Sequence, residues 1–597
     1  MVRLLGWRFL QYRPESVHDY AGVLVPLEEA HLHSHSARSG RTEFEERRNG
    51  EEEDGEGADP LMQADDDEAD KDRESGEGMG MLQMSAAEYT IEGLRREMRQ
   101  GERGRVWTEY ELKSKLINKA IQDIGMGRYN WQLFILCGFG WFADNLWFQG
   151  VSLTLPSLTG EFGVPEKTVR YTTSALYAGL CVGSFCWGLG SDILGRRIAF
   201  NATLLITAVF GIWSSYASSW GALCFLFACV GTGVGGNLPV DGALFLEFLP
   251  DSSSALLTLL SVWWPVGQLA SSFVAWYYIS RQPIELGWRS FIFAIGMITL
   301  VMFFIRFFVF HLFESPKYLL SQGRQAEAVA VVHGIAYRNS CKTWLTEDIL
   351  DAVVDMEAVQ RSTARLSTKE VLKQNLAAFS GEHIRPLFSN RKLGMATTLV
   401  WLCWATIGMG YPLFNAFLPQ YLSHGVSTSP ADGGAATMTE ASNAETYRNY
   451  AIISAVGVPG SLLAAYTVDH PSPFLGRKGT LAISTLVSAV FLFFFVTFGT
   501  TPNAQLFLTC VEAFTQNIMY GVLYAFTPEM FPAPVRGAGT GVASFLNRVM
   551  GLIAPVLAAI LPGDGTVLPI YLSAALILGA FVCICFIPIE TRGRQRL

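Results

Sequence analysis

The sequence predicts an all-α membrane protein with twelve transmembrane helices in two six-helix bundles, preceded by a disordered N-terminal tail. The first observation is composition, because 50% of the 597 residues are hydrophobic and only 16% are charged, whereas soluble domains carry about a quarter charged residues. The second is the presence of apolar runs of about 20 residues, which is long enough to cross about 30 Å of hydrocarbon as a helix. The third is a polar segment, 314–392, that divides these runs six and six.

The elements follow from the chain in order. Residues 1–125 include EERRNGEEEDGEGADP, and such an acidic composition buries too little apolar surface to fold. A short amphipathic helix around AAEYTIEGLRREMRQ is the one element expected there. Bundles are predicted at 126–313 and 393–590, with apolar runs near 131–156, 172–190, 199–217, 220–246, 256–280, 288–312, 395–421, 449–468, 479–499, 504–527, 537–561 and 567–588. These runs are continuous, which favours helices over the alternating strands of a barrel.

Charge predicts the orientation in the membrane. Lys and Arg are frequent in the loop 314–392 and in the C-terminal tail 591–597, TRGRQRL. An excess of these residues marks the cytosolic side, so the loop and both termini are expected in the cytosol. The sequence leaves open whether the membrane is the plasma membrane or a vacuolar or endosomal membrane.

The two halves repeat each other. SDILGRR (191–197) is echoed by VDHPSPFLGRK (468–478), and LEFLP (246–250) by PEMFP (528–532). Arg196 and Arg477 are 281 residues apart, and Glu247 and Glu529 are 282 apart. Two unrelated motifs at nearly one offset predict parallel six-helix repeats, an arrangement of secondary transporters whose site lies between the halves near the bilayer midplane.

A charged loop connects the second and third predicted helices. It reads GLGSDILGRR and carries Gly188, Asp192, Gly195, Arg196 and Arg197. This Gly-x-x-x-Asp-x-x-Gly-Arg-Arg pattern resembles the signature of the major facilitator superfamily. FESPKYL (313–319) and IPIETRGR (587–594) resemble its sugar porters, whereas GVGGNLPVDGALFLEFLP (233–250) and YAFTPEMFPAPVRGAGTGVASFLNRVMGLIAP (524–555) resemble its synaptic-vesicle-protein-like and organic-ion branch.

The resemblance implies a cytoplasmic gate that holds one side of the protein shut. Its glycines are expected to allow close packing and a tight turn. The charged members implied besides the loop are Glu247, Glu314, Asp469, Arg477, Glu529 and Arg536. Glu247 and Glu314 are expected to pair with Arg196, and Glu529 and Arg536 to join Arg477. The alternative is a set of charges that only fixes topology. The sequence departs from the family at Ser254 and Phe227, which occupy positions expected for arginine.

A candidate solute site is indicated by polar residues inside four of the apolar runs. They lie on the first, fourth, seventh and tenth helices, which the resemblance places around the central cavity. The residues are Asp144, Asn145, Gln149, Asn237, Asp241, Tyr411, Asn415, Glu512, Gln516 and Tyr520. Four pairs among them are spaced i,i+4, and such pairs share one helical face.

The three acids in this set suggest cation coupling. Ionisable groups inside the membrane usually face a cavity or a partner, and a buried carboxyl can carry a proton. Asp144 and Asp241 are favoured over Glu512, and the alternative is that neighbouring amides satisfy these acids for packing alone. Arg548, in the eleventh helix, is read either as a counter-ion for an anion or as a snorkelling or paired residue. The acids favour a neutral or cationic solute over an anion.

These patterns predict a secondary transporter that moves a small organic solute with protons by alternating access, as a monomer in the lipid bilayer. An enzyme is not expected, nor are a cofactor, a metal or a nucleic-acid partner. GTGVGG (231–236) is not followed by Lys-Ser/Thr, and close helix packing explains it better than a phosphate-binding loop. The alternatives are a non-transporting receptor or scaffold on the same fold, and a uniporter.

Overall fold

The computed structural model describes residues 15–33, 89–100, 109–250, 255–310, 312–353, 385–388, 390–426, 440–468, 476–531, 536–561 and 567–588. This part of the chain is almost entirely helical. Its only β structure is an isolated parallel bridge between Leu24 and Thr343.

Eighteen helices position the site. Two precede the membrane region, α1 (Ile91–Gln100) and α2 (Glu109–Ile124). The first bundle contains α3 (Arg128–Phe162), α4 (Tyr171–Leu194), α5 (Arg196–Ser214), α6 (Trp220–Phe248), α7 (Trp263–Ile279) and α8 (Ile284–Phe304). Three shorter helices follow, α9 (Pro316–Ser321), α10 (Gln325–Arg338) and α11 (Glu347–Val353). The second bundle contains α12 (Arg391–Asn415), α13 (Leu418–Val426), α14 (Glu440–Val468), α15 (Arg477–Phe498), α16 (Pro502–Met530), α17 (Arg536–Ile560) and α18 (Val567–Phe586).

Twelve of these helices correspond to the predicted spans. In the described part of the chain, 10 helices are long and apolar enough to cross a membrane, by length and composition. The remaining two spans are α3 and α4, which pack in the first bundle with α6 and α7. The predicted fold class is therefore confirmed.

The internal repeat extends to the backbone of two turns. Gly195 separates α4 from α5 with φ +102, and Gly476 precedes α15 with φ +103. Side chains rarely tolerate this left-handed region, whereas glycine adopts it without steric cost. The tight turn predicted at Gly195 is present, and the second half reproduces it 281 residues later.

Glycines also allow α4 and α6 to pack with their backbones in contact. A Cβ atom at Gly179 would overlap the carbonyl oxygen of Ala228, and one at Gly231 would overlap that of Leu176. Small residues permit such close approach between membrane helices. The segment GTGVGG therefore serves helix packing, as predicted.

The two bundles meet along two pairs of helices. Helix α7 packs on α14, and α4 packs on α17. At the first contact the hydroxyl oxygens of Ser272 and Ser454 lie 3.2 Å apart. The space enclosed between the bundles is where a solute site is expected.

The described parts of the N-terminal tail form a folded unit that we call the inner cap, comprising 15–33, 89–100, 109–124 and 312–353. Val25 N–H donates to the carbonyl of Thr343, and Thr343 N–H donates to that of Val23, both over 3.0 Å. The side chain of Arg95 in α1 donates to the carbonyl of Ala352 in α11. We call the end of the molecule that carries the cap the inner end.

The cap adds folded segments to a tail that was expected to be mostly disordered. The acidic residues are concentrated in 34–88, which lie outside the described part of the chain. The segments on either side carry enough apolar side chains to fold. Leu94, Leu116 and Ile117 are fully buried in a cluster that also contains residues of α10 and α11. Described segments of the tail and of the loop 314–392 therefore contact each other in one unit, and the amphipathic helix predicted around residue 91 is α1.

A buried charged cluster lies in the middle of the cap. Asp123 accepts hydrogen bonds from Lys119 Nζ at 2.8 Å and from Trp344 Nε1 at 2.8 Å, and Tyr89 donates to it at 3.1 Å. Burial alone would lower the pKa of Lys119, but the charge and the hydrogen bond of Asp123 outweigh burial and raise it. The Asp123 carboxylate therefore accepts hydrogen bonds from Lys119, Trp344 and Tyr89, and we expect the cap to depend on it.

Replacing Asp123 by Ala is expected to destabilise the cap by about 3–5 kcal/mol, since removal of one partner leaves a buried charge uncompensated. Hydrogen exchange of the amides in α10 measures the effect. Glu109→Ala is the matched control, because Lys113 keeps its second partner Asp351 at 2.8 Å, and we expect a change within about 0.5 kcal/mol. Equal protection in the Asp123 variant and the unmodified protein would contradict a cap held by this cluster.

Candidate functional site: a cavity between the two bundles

A cavity of ≈ 120 Å³ lies between the bundles. Its wall contains residues from helices of both halves. Seven of the ten predicted site residues line it: Asp144, Asn145, Gln149, Tyr411, Asn415, Gln516 and Tyr520. The other three, Asn237, Asp241 and Glu512, are not part of the lining. Most of the residues predicted from the i,i+4 spacing therefore face the cavity.

Asp144 is the acid that lines the cavity. Its side chain is 2% exposed, and its Oδ1 accepts a hydrogen bond from Asn237 Nδ2 at 2.9 Å. Asn237 therefore does not contact the cavity but holds Asp144 from behind. A carboxylate with so few donors is costly in a low-dielectric environment.

Asp241 lies in a different environment. Its Oδ2 accepts from Arg306 Nη2 at 2.6 Å, and both side chains are 0% exposed. Arg306 also donates to the carbonyl oxygens of Leu136 and Phe200 and lies over the Phe200 ring. Asp241 is thus half of a buried ion pair between α6 and the turn after α8, although the sequence grouped it with the solute site.

Glu512 lies in the second bundle behind the cavity wall. It is 1% exposed, and neither of its carboxylate oxygens has a hydrogen-bond donor by distance and angle in the described part of the chain. Its neighbour Asn415 directs its amide to Gln516 Oε1 at 2.9 Å. The three acids do not share one chamber, because only Asp144 reaches it.

The structure adds cavity residues that the sequence reasoning left out of the site. Gln268 donates to Asn145 Oδ1 at 2.9 Å and to Tyr411 Oη at 3.2 Å, so it connects the two bundles across the cavity. Arg548 also reaches the wall, where Tyr177 and Tyr524 add aromatic surface. A polar residue within an apolar run marks both Gln268 and Arg548. Arg548 was considered from the sequence as a counter-ion for an anion, whereas Gln268 lies on a helix outside the four that bear the predicted site.

An aromatic layer separates the cavity from the inner end. Trp141 stacks on Trp264 with ring centroids 4.8 Å apart, and Trp264 meets Tyr524 at 5.0 Å. Tyr524 in turn contacts the ring of Trp404 at 4.7 Å. Two of these rings belong to each bundle, so the layer closes the seam between them.

The opposite, outer end is closed by Arg170. This residue of the first bundle is 1% exposed. It donates to Gln420 Oε1 at 3.1 Å and to the carbonyl of Ala558 at 2.8 Å, both in the second bundle. Tyr447 adds a hydrogen bond to the carbonyl of Leu153 at 3.1 Å. One layer of contacts between the bundles therefore lies toward each end of the cavity.

Replacing Arg170 by Ala is expected to favour opening of the outer end. Each hydrogen bond from a charged group contributes about 1.5–3 kcal/mol, so loss of even one shifts the equilibrium about tenfold. A cysteine introduced by Ser454→Cys should react correspondingly faster with an impermeant maleimide. Arg448→Ala is the control, since Arg448 is an exposed arginine that pairs with Glu445 of its own helix. Equal reaction rates with and without Arg170 would show that it does not hold this end closed.

Comparison with known proteins identifies the family. Residues 133–555 match the model of the Major Facilitator Superfamily. This chain belongs to the major facilitator superfamily.

Individual members of the superfamily match along most of their length. The MFS siderochrome iron transporter 1 of Ceriporiopsis subvermispora is 43% identical over 507 residues, which cover 83% of this chain and 94% of that protein. The Synaptic vesicle 2-related protein of Xenopus laevis is 28% identical, over 80% of this chain and 82% of that protein. The xylose transporter XylE of E. coli, in a partially occluded inward open conformation, matches in fold with TM-score 0.57 at 15% identity, covering 77% of this chain and 100% of that one. The predicted family is confirmed, and the protein is a transporter rather than an enzyme.

The charged residues that superfamily membership led us to expect at the inner end form ion pairs within each bundle. Arg196 Nε lies 2.9 Å from Glu247 Oε1, and Arg477 pairs with Glu529. Both pairs join residues of the same bundle, close to the inner ends of their helices.

Glu314 uses a different contact from the one expected. It accepts hydrogen bonds from the backbone N–H groups of Arg196 at 2.9 Å and Arg197 at 3.3 Å, which begin α5. A carboxylate at a helix N-terminus is stabilised by its free N–H groups. Burial raises the pKa of Glu314, against the effect of these donors.

The remaining predicted gate residues are Gly188, Asp192, Asp469 and Arg536. Gly188 lies within α4, and a Cβ there would meet nothing within 4 Å, so close packing is not its role in this conformation. The side chains of Asp192 and Arg536, and the whole of Asp469, lie outside the described residues.

Proposed function

We propose that this protein is a secondary active transporter that moves a small organic solute together with protons by alternating access. The observation that carries the proposal is the position of Asp144, a buried acid on the wall of a cavity between the two bundles. Because an uncompensated carboxylate is costly there, Asp144 can bind a proton and carry it through the conformational change. Asn237 fixes the carboxyl group for this role.

The two closing layers support alternating access. The aromatic layer at the inner end and the Arg170 contacts at the outer end each involve both bundles. Rotation of one bundle against the other would open either layer while the other stays intact. Neither layer is covalently fixed, so the cavity can face each side in turn.

We further propose that the inner cap and both termini are cytosolic and that the protein works as a monomer in the plasma membrane or a vacuolar or endosomal membrane. The Lys and Arg content of 314–392 supports this orientation. The solute site is complete within one chain, which supports the monomer.

The proposal is tested in proteoliposomes loaded with a pH-sensitive dye. A panel of labelled sugars, amines and small carboxylates is added, and a coupled solute should acidify the lumen as it enters. An imposed pH gradient should then drive its accumulation. Uptake that leaves the lumenal pH unchanged and ignores the gradient would indicate a uniporter.

Excision of residues 34–88 tests the scaffold alternative. A transporter should keep its uptake after the excision, whereas loss of partner binding in a protein that shows no transport would support the scaffold.

A further inference from the structure

Arg548 places a permanent positive charge at the cavity wall. Its side chain lines the cavity from α17, and the residue is 9% exposed. Its Nη1 donates to Ser544 Oγ at 2.6 Å and its Nη2 to the carbonyl of Gly235 at 3.3 Å. These bonds involve two of the five N–H donors of a guanidinium, which stays charged in proteins.

No carboxylate of the described residues forms an ion pair with Arg548 within 4.0 Å, whereas Arg306, another membrane-buried arginine of that part of the chain, has Asp241. The charged and titratable groups facing Arg548 are Asp144 on α3, Tyr177 and Cys181 on α4, and Tyr524 on α16. Only Asp144 among these is an acid. The pair Asp241–Arg306 behind Asp144 is neutral as a unit. The cavity therefore contains one cation and one acid on opposite bundles.

We propose that the transported solute is a small organic monoanion built on a single ring, most simply a carboxylate, and that Arg548 binds its anionic group. This inference rests on the proposed function and names its substrate class. A carboxylate matches the planar donors of arginine in two parallel hydrogen bonds. It reverses the preference for a neutral or cationic solute that the three acids suggested.

The size and lining of the cavity fit such a solute. The cavity volume is ≈ 120 Å³, slightly below the about 150 Å³ of a cavity that holds one benzene molecule in another protein, so the volume limits the solute to about one ring. The rings of Tyr177, Tyr524 and Phe148 line it and offer flat apolar surface. Two buried amide nitrogens at the wall, on Gln149 and Gln516, have no acceptor in the described part of the chain. These donors also suit a solute rich in acceptor oxygens.

Charge balance then couples the solute to the proton. Without solute, ionised Asp144 offsets the charge of Arg548 across the cavity. When an anion binds Arg548, a second negative charge nearby is unfavourable, so Asp144 takes up a proton. One proton and one monoanion cross together, and no net charge moves.

Matched pairs of neutral and anionic compounds test the proposal on the purified full-length protein. Thermal unfolding is measured with benzoate and benzamide, phenylacetate and phenylacetamide, and cinnamate and cinnamamide. At least one carboxylate should raise the unfolding temperature, increasingly with its concentration, while its amide should bind at least about tenfold more weakly. Equal binding of each amide and its carboxylate, or no stabilisation by any carboxylate, would overturn the proposal.

Variants of Arg548 locate the effect. R548Q should remove the preference for the carboxylate, and R548K should retain part of it, since lysine keeps the charge but not the planar donors. R448Q is the matched control, because Arg448 is an exposed arginine paired with Glu445 outside the cavity. If R548Q does not fold, R548K is compared with the unmodified protein. An unchanged carboxylate preference and full affinity in R548K would refute bidentate binding at this position.

The same reagents separate this inference from proton coupling. Carboxylate binding through Arg548, with uptake that ignores a pH gradient, would leave the anion site standing and refute coupling at Asp144. Gradient-driven uptake of a neutral or cationic panel solute, with no carboxylate binding, would refute the anion site and leave coupling standing.

Discussion

Uptake driven by a pH gradient should fall to the level of protein-free liposomes when Asp144 is replaced by Asn. The substitution keeps the shape of the side chain and its contact with Asn237, whose Nδ2 lies 2.9 Å from Oδ1 of the aspartate, but it removes the group that gains and loses a proton. Folding should be unaffected, since an amide costs less to bury than a carboxylate.

Exchange of solute across the membrane distinguishes lost coupling from a lost site. Counterflow between labelled and unlabelled solute needs no net proton transfer, so Asp144→Asn should retain it. Asp351→Asn is the matched control, an acid in the inner cap that pairs with Lys113 far from the cavity. Unchanged pH-dependent uptake by the Asp144→Asn variant would show that another group carries the proton, and Glu512 would be the next candidate.

Replacing Asp241 by Ala should destabilise the protein by about 3–5 kcal/mol, because Arg306 would remain charged and fully buried without its partner. Since the stability of a folded domain is about 5–15 kcal/mol, this loss is a large fraction of the total, and the yield of monodisperse protein in size-exclusion chromatography should fall. Glu445→Ala is the control, as Glu445 and Arg448 form an exposed pair with side chains 47% and 50% exposed, worth about 0–1 kcal/mol.

A double replacement tests the reason for that loss. Asp241→Leu combined with Arg306→Met removes both charges, and such apolar pairs are often as stable as the buried ion pair they replace. The double variant should therefore recover monodisperse protein. If Asp241→Ala instead folds normally and lacks proton-driven uptake, Asp241 belongs to the transport site, as its sequence position suggested.

The contrast between Asp144 and Asp241 shows how far sequence patterns reach. Both are acids in apolar helices near an asparagine, and their spacing places each on a polar face. The two acids differ in what that face meets in the folded protein, which is the cavity for Asp144 and Arg306 for Asp241. Arg306 comes from the turn after α8, 65 residues further along the chain, and no local pattern links the two.

The inner cap illustrates the same limit in the tail. Composition predicted a mostly disordered tail up to about residue 125, and it gave no sign that Leu94 and Leu116 are fully buried. Their partners lie in α10 and the segment after it, a distant part of the chain. An average over an acidic region hides short apolar segments whose partner surface comes from elsewhere in the chain.

The sequence by itself determined the twelve spans, the twofold repeat and its turn glycines, and the helices that bear polar residues. Each of these depends on local properties, namely the length of an apolar run, the conformational freedom of glycine and the 3.6-residue period of a helix. The tertiary structure alone decided that Asp144 faces the cavity, that Asp241 is paired with Arg306, and that Arg548 joins the wall. The physical reason is that a helix period fixes which residues share a face, whereas the rotation and packing of distant helices fix what that face meets.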